Sequence, residues 1–316
     1  MSLKAIKFFT TFENISLKEE VKEFTLLPGI NISNDDEVRK AYLTDEVRYF
    51  IGEIEAQHLF ESNNFVFSEF DEKTFSHDNY EVILQTFLVW IQSLFNHAWV
   101  IKDHSLACEN AYLFIYEDGQ LQACHSNYLA KKYTFSDCRV GRVEISLNDL
   151  REWECLHDNI ETYLYNNDSG ALSFLLDRKH CRTGKALKFI EVARQANNIG
   201  FKIASYVSAM EALFATSNSE LSYRLSERMA FVLSAHGYKK INVFNDVKLA
   251  YEIRSKLVHG DYLSQKKIEK ASEVSVSCDQ YLRKIIKLSY GAENFKGIID
   301  ASNPDLDNYF KELIFE

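Results

Sequence analysis

The chain has 316 residues, enough for about two domains with sizeable cores. A net charge of −10 argues against a general nucleic-acid binder. The longest apolar stretch, around Phe87 to Ile91, is broken by Gln92, Ser93 and Asn96 and falls short of the ~20 residues a membrane span needs. No sustained apolar run follows Lys4 and Lys7, so no signal peptide is expected, and the reading is a cytoplasmic protein with no membrane partner.

The charge is unevenly divided. Residues 166–316 carry 22 basic and 18 acidic residues (about +4), leaving 14 basic and 28 acidic (about −14) on residues 1–165. A polyanion is therefore expected on the C-terminal half. Cys108, Cys124, Cys138, Cys155, Cys181 and Cys278 are widely spaced and form no C-x-x-C pair. They read as reduced thiols, and His97 and His104 are too loosely placed for a metal pair. No metal and no cofactor is expected.

Residues 1–35 alternate loosely, with Pro28-Gly29 as a turn, and read as strands. Thr44 is placed to cap a helix running to Ser62, with Asp45 and Glu46 in its first turn. Val66 and Phe67 suggest a short strand. Asn79 to Val100 is a second helix, apolar at Val82, Ile83, Phe87, Val89, Trp90 and Leu94, and hydrophobic nearly all round. Ala111 to Cys124 reads as a hairpin about Asp118-Gly119, and Arg142 to Ser146 alternates as a further strand. Residues 1–147 are thus predicted to be an α+β domain. It has no Gly-rich phosphate loop and no nucleophile elbow.

From Ser146 the period becomes helical. Leu147 to Tyr165 is predicted as a helix and Asn166 to Gly170 as a turn. Further helices are expected at about 171–182, 185–215, 219–236, 241–259 and 264–290, with a short last one starting at Pro304 behind Asn303 as cap. There is no internal repeat. Residues 148–316 are read as an all-helical domain, and the aromatic residues are assigned mostly to the core.

Within this half, Leu249, Ile253, Leu257 and Val258 are expected to make the apolar stripe of one helix, which Gly260 ends with His259 in the last turn. The negative helix end favours an imidazolium there, by roughly 0.3–1 kcal/mol when exposed. Arg254 and His259 stand five residues apart, about 140° around an ideal helix, so they do not share a face. An Arg and a His at this spacing are weak evidence by themselves: Arg151 and His157 offer a similar pair.

Three segments in order carry more. Tyr206-Val-Ser-Ala-Met-Glu-Ala-Leu-Phe214, Glu220-Leu-Ser-Tyr-Arg-Leu-Ser-Glu-Arg-Met-Ala-Phe-Val-Leu233 and Tyr251-Glu-Ile-Arg-Ser-Lys-Leu-Val-His-Gly260 resemble successive helices of Apea-like HEPN domains, over about residues 170–290. The resemblance does not clearly cover the N-terminal α+β domain; for the residues after it, it implies an all-α HEPN bundle, and a metal-independent endoribonuclease that acts as a homodimer through the helical domain. It implies Arg254 and His259 as catalytic residues, with Ser255 in a supporting role; Lys256 is read as a phosphate contact. RNA is the expected substrate, because only RNA has the attacking 2′-hydroxyl. A toxin or phage-defence effector, held by an antitoxin or regulatory protein, fits that chemistry. The contrasting expectation is a non-catalytic HEPN interaction module, with Arg254 and His259 in a helix-end ion pair with Glu252 or Asp261, and an N-terminal domain that binds a ligand or protein. Glu211 is expected to serve the fold by pairing with Arg224 or Arg228, or else to position Arg254.

Overall fold

In a computed structural model, residues 4–71, 74, 79–167, 169, 180–217, 219–291 and 295–315 are described. An antiparallel sheet region is followed by a helical region, and the chain forms two compact units, residues 1–132 with 140–155 and residues 133–139 with 156–316.

The first unit is built on a six-stranded sheet of order β3-β4-β5-β1-β6-β7, from β1 (Lys4–Thr11), β3 (Phe24–Leu27), β4 (Ile30–Ser33), β5 (Phe65–Asp71), β6 (Asn110–Glu117) and β7 (Gln120–Tyr128). Successive side chains of a strand face opposite ways, and the adjacent Phe8 and Phe9 show both faces covered. Phe8 stacks at 4.4 Å on Phe87 of α4 (Tyr80–Ile101). Phe9 joins Phe65, Tyr42, Leu43, Val47 and Leu59 on the other side, under α1 (Asp36–Tyr42), α2 (Asp45–Ile51) and α3 (Glu53–Glu61).

The Asp118-Gly119 turn is as expected, with φ of 49° and 81°, the two positive values a tight hairpin of this type requires. Thr44 caps α2 as expected, its hydroxyl accepting from the Val47 N–H. The helix expected to run on to Ser62 is broken at Gly52, whose φ of +90° has no place in a helix. The sequence reading missed α1, which Asp35 caps by accepting from the Val38 N–H. The expected strand at Arg142 to Ser146 is β8 (Val143–Ile145). It lies outside the main sheet and pairs in parallel with β2 (Ile15–Leu17). One face of α4 is exposed at Val82 and Val89, so the helix is not buried all round.

The second unit is helical: the later turns of α5 (Leu147–Asn166), then α6 (Arg182–Gln195), α7 (Ile199–Phe214), α8 (Leu221–Ser234), α9 (Lys240–His259), α10 (Gln265–Tyr290), α11 (Lys296–Ile299) and α12 (Asn303–Phe315). The helix expected at 171–182 lies almost wholly outside the described residues. The single helix expected over 185–215 is two, because Asn198 accepts from the N–H groups of Gly200 and Phe201 and starts α7 afresh. The last helix is capped by Ser302, with Ser302 Oγ accepting from the Asp305 N–H, rather than by Asn303.

Two buried charges organise this unit. Lys202 is fully buried, and its ammonium donates to Ala193 O (2.7 Å) and Thr134 Oγ1 (3.0 Å), tying the 133–139 segment to the end of α6. Asp279 is fully buried on α10 and accepts from the Tyr206 hydroxyl (2.9 Å) and from Arg283. A buried charge is tolerated only with such partners. All six cysteines are free thiols. No helix among the described residues is long and apolar enough to cross a membrane.

Candidate functional site

The C-terminal part of α9 carries Arg254, Ser255, Lys256 and His259. Its buried stripe is Val243, Val247, Ala250 and Ile253, one residue per turn. Leu257 continues the stripe in part: it is 37% exposed, with its methyl groups against Gly200 at the start of α7, whereas Val258 is 63% exposed. The last turn of α9 therefore presents Val258 outward.

Gly260 stops the helix as expected. It takes φ +71°, the Asp261 N–H returns to Lys256 O (2.9 Å) and the Gly260 N–H to Leu257 O (3.4 Å). Both bonds satisfy carbonyls that the helix end would otherwise leave open. His259 is exposed in that final turn, with no hydrogen bond to its ring among the described residues. By contrast, His157 of the competing Arg-His pair is buried.

Arg254 points the other way. Its guanidinium lies 5.7 Å from the centre of the Tyr251 ring, one turn back along α9, and Nη2 approaches Glu211 Oε2 of α7 at 3.5 Å. Five residues apart on an α-helix, Arg254 and His259 are offset by about 140°, and the pull of Glu211 holds Arg254 on the α7 side. Ser255 is half-buried between them, and Lys256 is engaged with Asp261 Oδ2 at 3.1 Å.

The expected helix-end pairs of Arg254 do not form: Glu252 binds Lys267 and Asp261 binds Lys256. Glu211 does not take Arg224 or Arg228 either. Arg224 donates to Ser217 Oγ (2.8 Å), and Arg228 donates to Phe214 O (2.5 Å), Thr216 Oγ1 (3.1 Å) and Asp307. Glu211 is held by Arg254 and Tyr251. Burial pushes its carboxyl above the ordinary value, against the pull of Arg254 and of the Tyr251 hydrogen bond. Burial and then the Glu211 charge push the Tyr251 phenol upward as well.

Glu211 also lines a small crevice at the end of α7, of about 10 Å³ and so water-sized, together with Thr216, Ser217, Leu221, Arg224 and Arg228. Together Glu211 of α7 and Tyr251 and Arg254 of α9 form a polar triad between the two helices. The pairing of Glu211 with Arg254 is the alternative that the sequence offered to a partner on α8; Tyr251 as its third member had no signal there.

One copy of the chain thus presents an exposed imidazole and a tethered guanidinium that diverge from each other. No protein-family model matches the chain, and no curated protein and no solved structure matches it.

Proposed function

We propose that the chain is a metal-independent endoribonuclease of the HEPN type, in which two copies of the α9 motif together make the active site. The observation that carries this reading is that Arg254, drawn to Glu211, and His259 stand on different sides of one helix, beside outward-facing Val258. A second copy packed on that last turn would cover the apolar side chains and bring two imidazoles and two guanidiniums to one cleft.

The chemistry is attack of the RNA 2′-oxygen on the adjacent phosphorus, with departure of the 5′-oxygen. It leaves a 2′,3′-cyclic phosphate and a 5′-hydroxyl. His259 transfers the proton, taking it from the 2′-hydroxyl or giving it to the leaving oxygen. Arg254 stabilises the charge that builds on the phosphorane, where a planar guanidinium suits two non-bridging oxygens. Ser255 supports the phosphate, and Lys256 contacts the backbone after leaving Asp261. A cytoplasmic toxin or defence effector fits this activity. The first unit, with Tyr49 and Ile54 both 88% exposed on either side of Gly52, suits a regulatory protein as its partner.

Purified protein incubated with RNA and excess EDTA is expected to cleave it, and His259→Ala is expected to lose that activity by 10²-fold or more (order of magnitude). An active His259→Ala variant, or activity abolished by EDTA, would sink the mechanism. DNA of the same sequence should stay intact.

The Arg254–Glu211 pair supports a second reading, a non-catalytic HEPN interaction module in which Arg254 serves the fold. That reading expects no RNA cleavage and a loss of stability in Arg254→Ala. The ribonuclease reading shares the pair and its loss, and is set apart by RNA cleavage in the native chain that a still-folded Arg254→Ala lacks.

A further inference from the structure

We infer that the outward face shared by α8 and α9 is a track for single-stranded RNA, with Tyr223 and Phe244 as the base-stacking platform and Lys248 as a backbone contact. The inference rests on the proposed RNA substrate and names its form.

Phe244, Lys248, Tyr251 and Ser255 stand at i, i+4, i+7 and i+11 of α9, which places them on one side of the helix. That stripe is about 17 Å long and ends on the motif. It is not a core stripe. Phe244, Tyr251 and Ser255 are half-buried and Lys248 is exposed, while the core side of α9 is Val243, Val247, Ala250 and Ile253.

Tyr223 of α8 is 54% exposed and meets Phe244 edge-on at 5.5 Å. The Lys248 ammonium lies 5.8 Å from the Phe244 ring. Exposed aromatic rings interleaved with cations suit unpaired bases, since every base has a face to stack and a phosphate beside it. A duplex hides its base faces and gains nothing from such a platform.

Charge supports the same occupant. The two carboxylates of α9 turn to α10: Asp246 accepts from the Tyr281 hydroxyl at 2.7 Å, and Glu252 binds Lys267. Lys248 has no ion pair among the described residues, so the α8 side of α9 keeps its positive charge. The opposing groups are Glu211, bonded to Tyr251 and offset there by Arg254, and Glu227, one turn along α8 from Tyr223 and without a cation of its own among the described residues. Glu227 should weaken binding at that end of the track.

The test uses the full chain carrying His259→Ala, so that RNA survives, with fluorescence anisotropy of a short labelled oligouridine in EDTA. Binding is expected, with duplex RNA of equal length at least tenfold weaker. Tyr223→Ala should weaken oligouridine binding roughly tenfold or more, and Tyr223→Trp should restore it. Lys248→Ala should lower the slope of log affinity against log salt by about 0.7. Glu227→Gln should tighten binding. Because Phe244 is half-buried, Phe244→Leu is used there, with circular dichroism to confirm folding.

Unchanged affinity in folded Tyr223→Ala, or duplex bound as well as single strand, would overturn the track. So would a Tyr223→Ala variant that loses self-association in light scattering while binding RNA as before. Those results leave the ribonuclease reading standing if His259→Ala abolishes cleavage. Tyr223-dependent RNA binding by a chain that never cleaves would leave the track and remove the nuclease.

Discussion

Arg254 and His259 leave α9 in different directions, and what holds each is different in kind. His259 owes its place to the Gly260 stop. An added Cβ at Gly260 would meet nothing within 4 Å, so its cost is purely that of the left-handed backbone. Gly260→Ala is expected to destabilise the protein by about 1 kcal/mol, measured by urea unfolding. An unchanged midpoint would mean that the last turn is not held in this cap. Arg254 owes its place to Glu211, and that partner makes a pH signature. Burial keeps the proton on folded Glu211 to a higher pH than in the unfolded chain. As pH rises from the ordinary carboxylate range (about 4.3 for Glu) through the raised value, the folded state binds more protons than the unfolded state, so stability falls. Glu211→Gln cannot ionise and lacks that fall. Its Tm relative to the native chain should therefore climb with pH through the window and then level off. Parallel Tm curves from pH 4 to 7, on the order of the carboxylate range, would contradict the buried-carboxylate account.

Among the elements, α12 is tied to the bundle by two arginines, Arg182 donating to Asn303 at its start and Arg228 to Asp307 one turn on. Arg228 is 7% exposed, lies 4.8 Å from the centre of the Phe310 ring, and joins the carbonyl of Phe214 to Asp307. Asp307 is pushed up by burial but held below its ordinary value by hydrogen bonds from Thr216 and Arg228. Arg228→Ala should cost roughly 2–3 kcal/mol, as expected when charged hydrogen bonds are lost and a helix-end carbonyl is left open. Hydrogen exchange should show α12 opening before α7 and α10. Uniform exchange across the unit would mean that α12 is held by other contacts. Element boundaries were legible where a cap was local, as at Thr44, Asp118-Gly119 and Gly260. They were missed where a competing cap lay inside a continuous helical pattern. Asn198 splits 185–215 because its side chain satisfies two N–H groups, and the apolar period carries no trace of that break.

For the molecule as a whole, the outward last turn of α9 matters most. Leu257, Val258 and Tyr262 are 37%, 63% and 95% exposed around His259. In the proposed dimer these side chains are covered. Light scattering should then give twice the chain mass, and Val258→Asp should give a monomer that has also lost RNA cleavage. A native chain that is monomeric at all working concentrations, or a monomeric Val258→Asp that still cleaves, would reject a composite site. The variant should fold normally, since Val258 contributes little to the core.

By itself the sequence determined what depends on near neighbours. The change from alternation to a helical period, the turn at Asp118-Gly119, the cap at Thr44, and the end of α9 at Gly260 with His259 in its last turn are all set within about four residues of backbone. Tertiary structure alone decided what joins distant residues: the choice of Glu211 as partner of Arg254 across 43 positions, of Asp307 as partner of Arg228 across 79, and of β2 for β8. It also decided which apolar positions of α9 meet a neighbouring helix. Periodicity shows that a stripe exists, but only packing shows where its partner ends, and here burial is complete at Ile253 and partial at Leu257, which rests against Gly200 of α7.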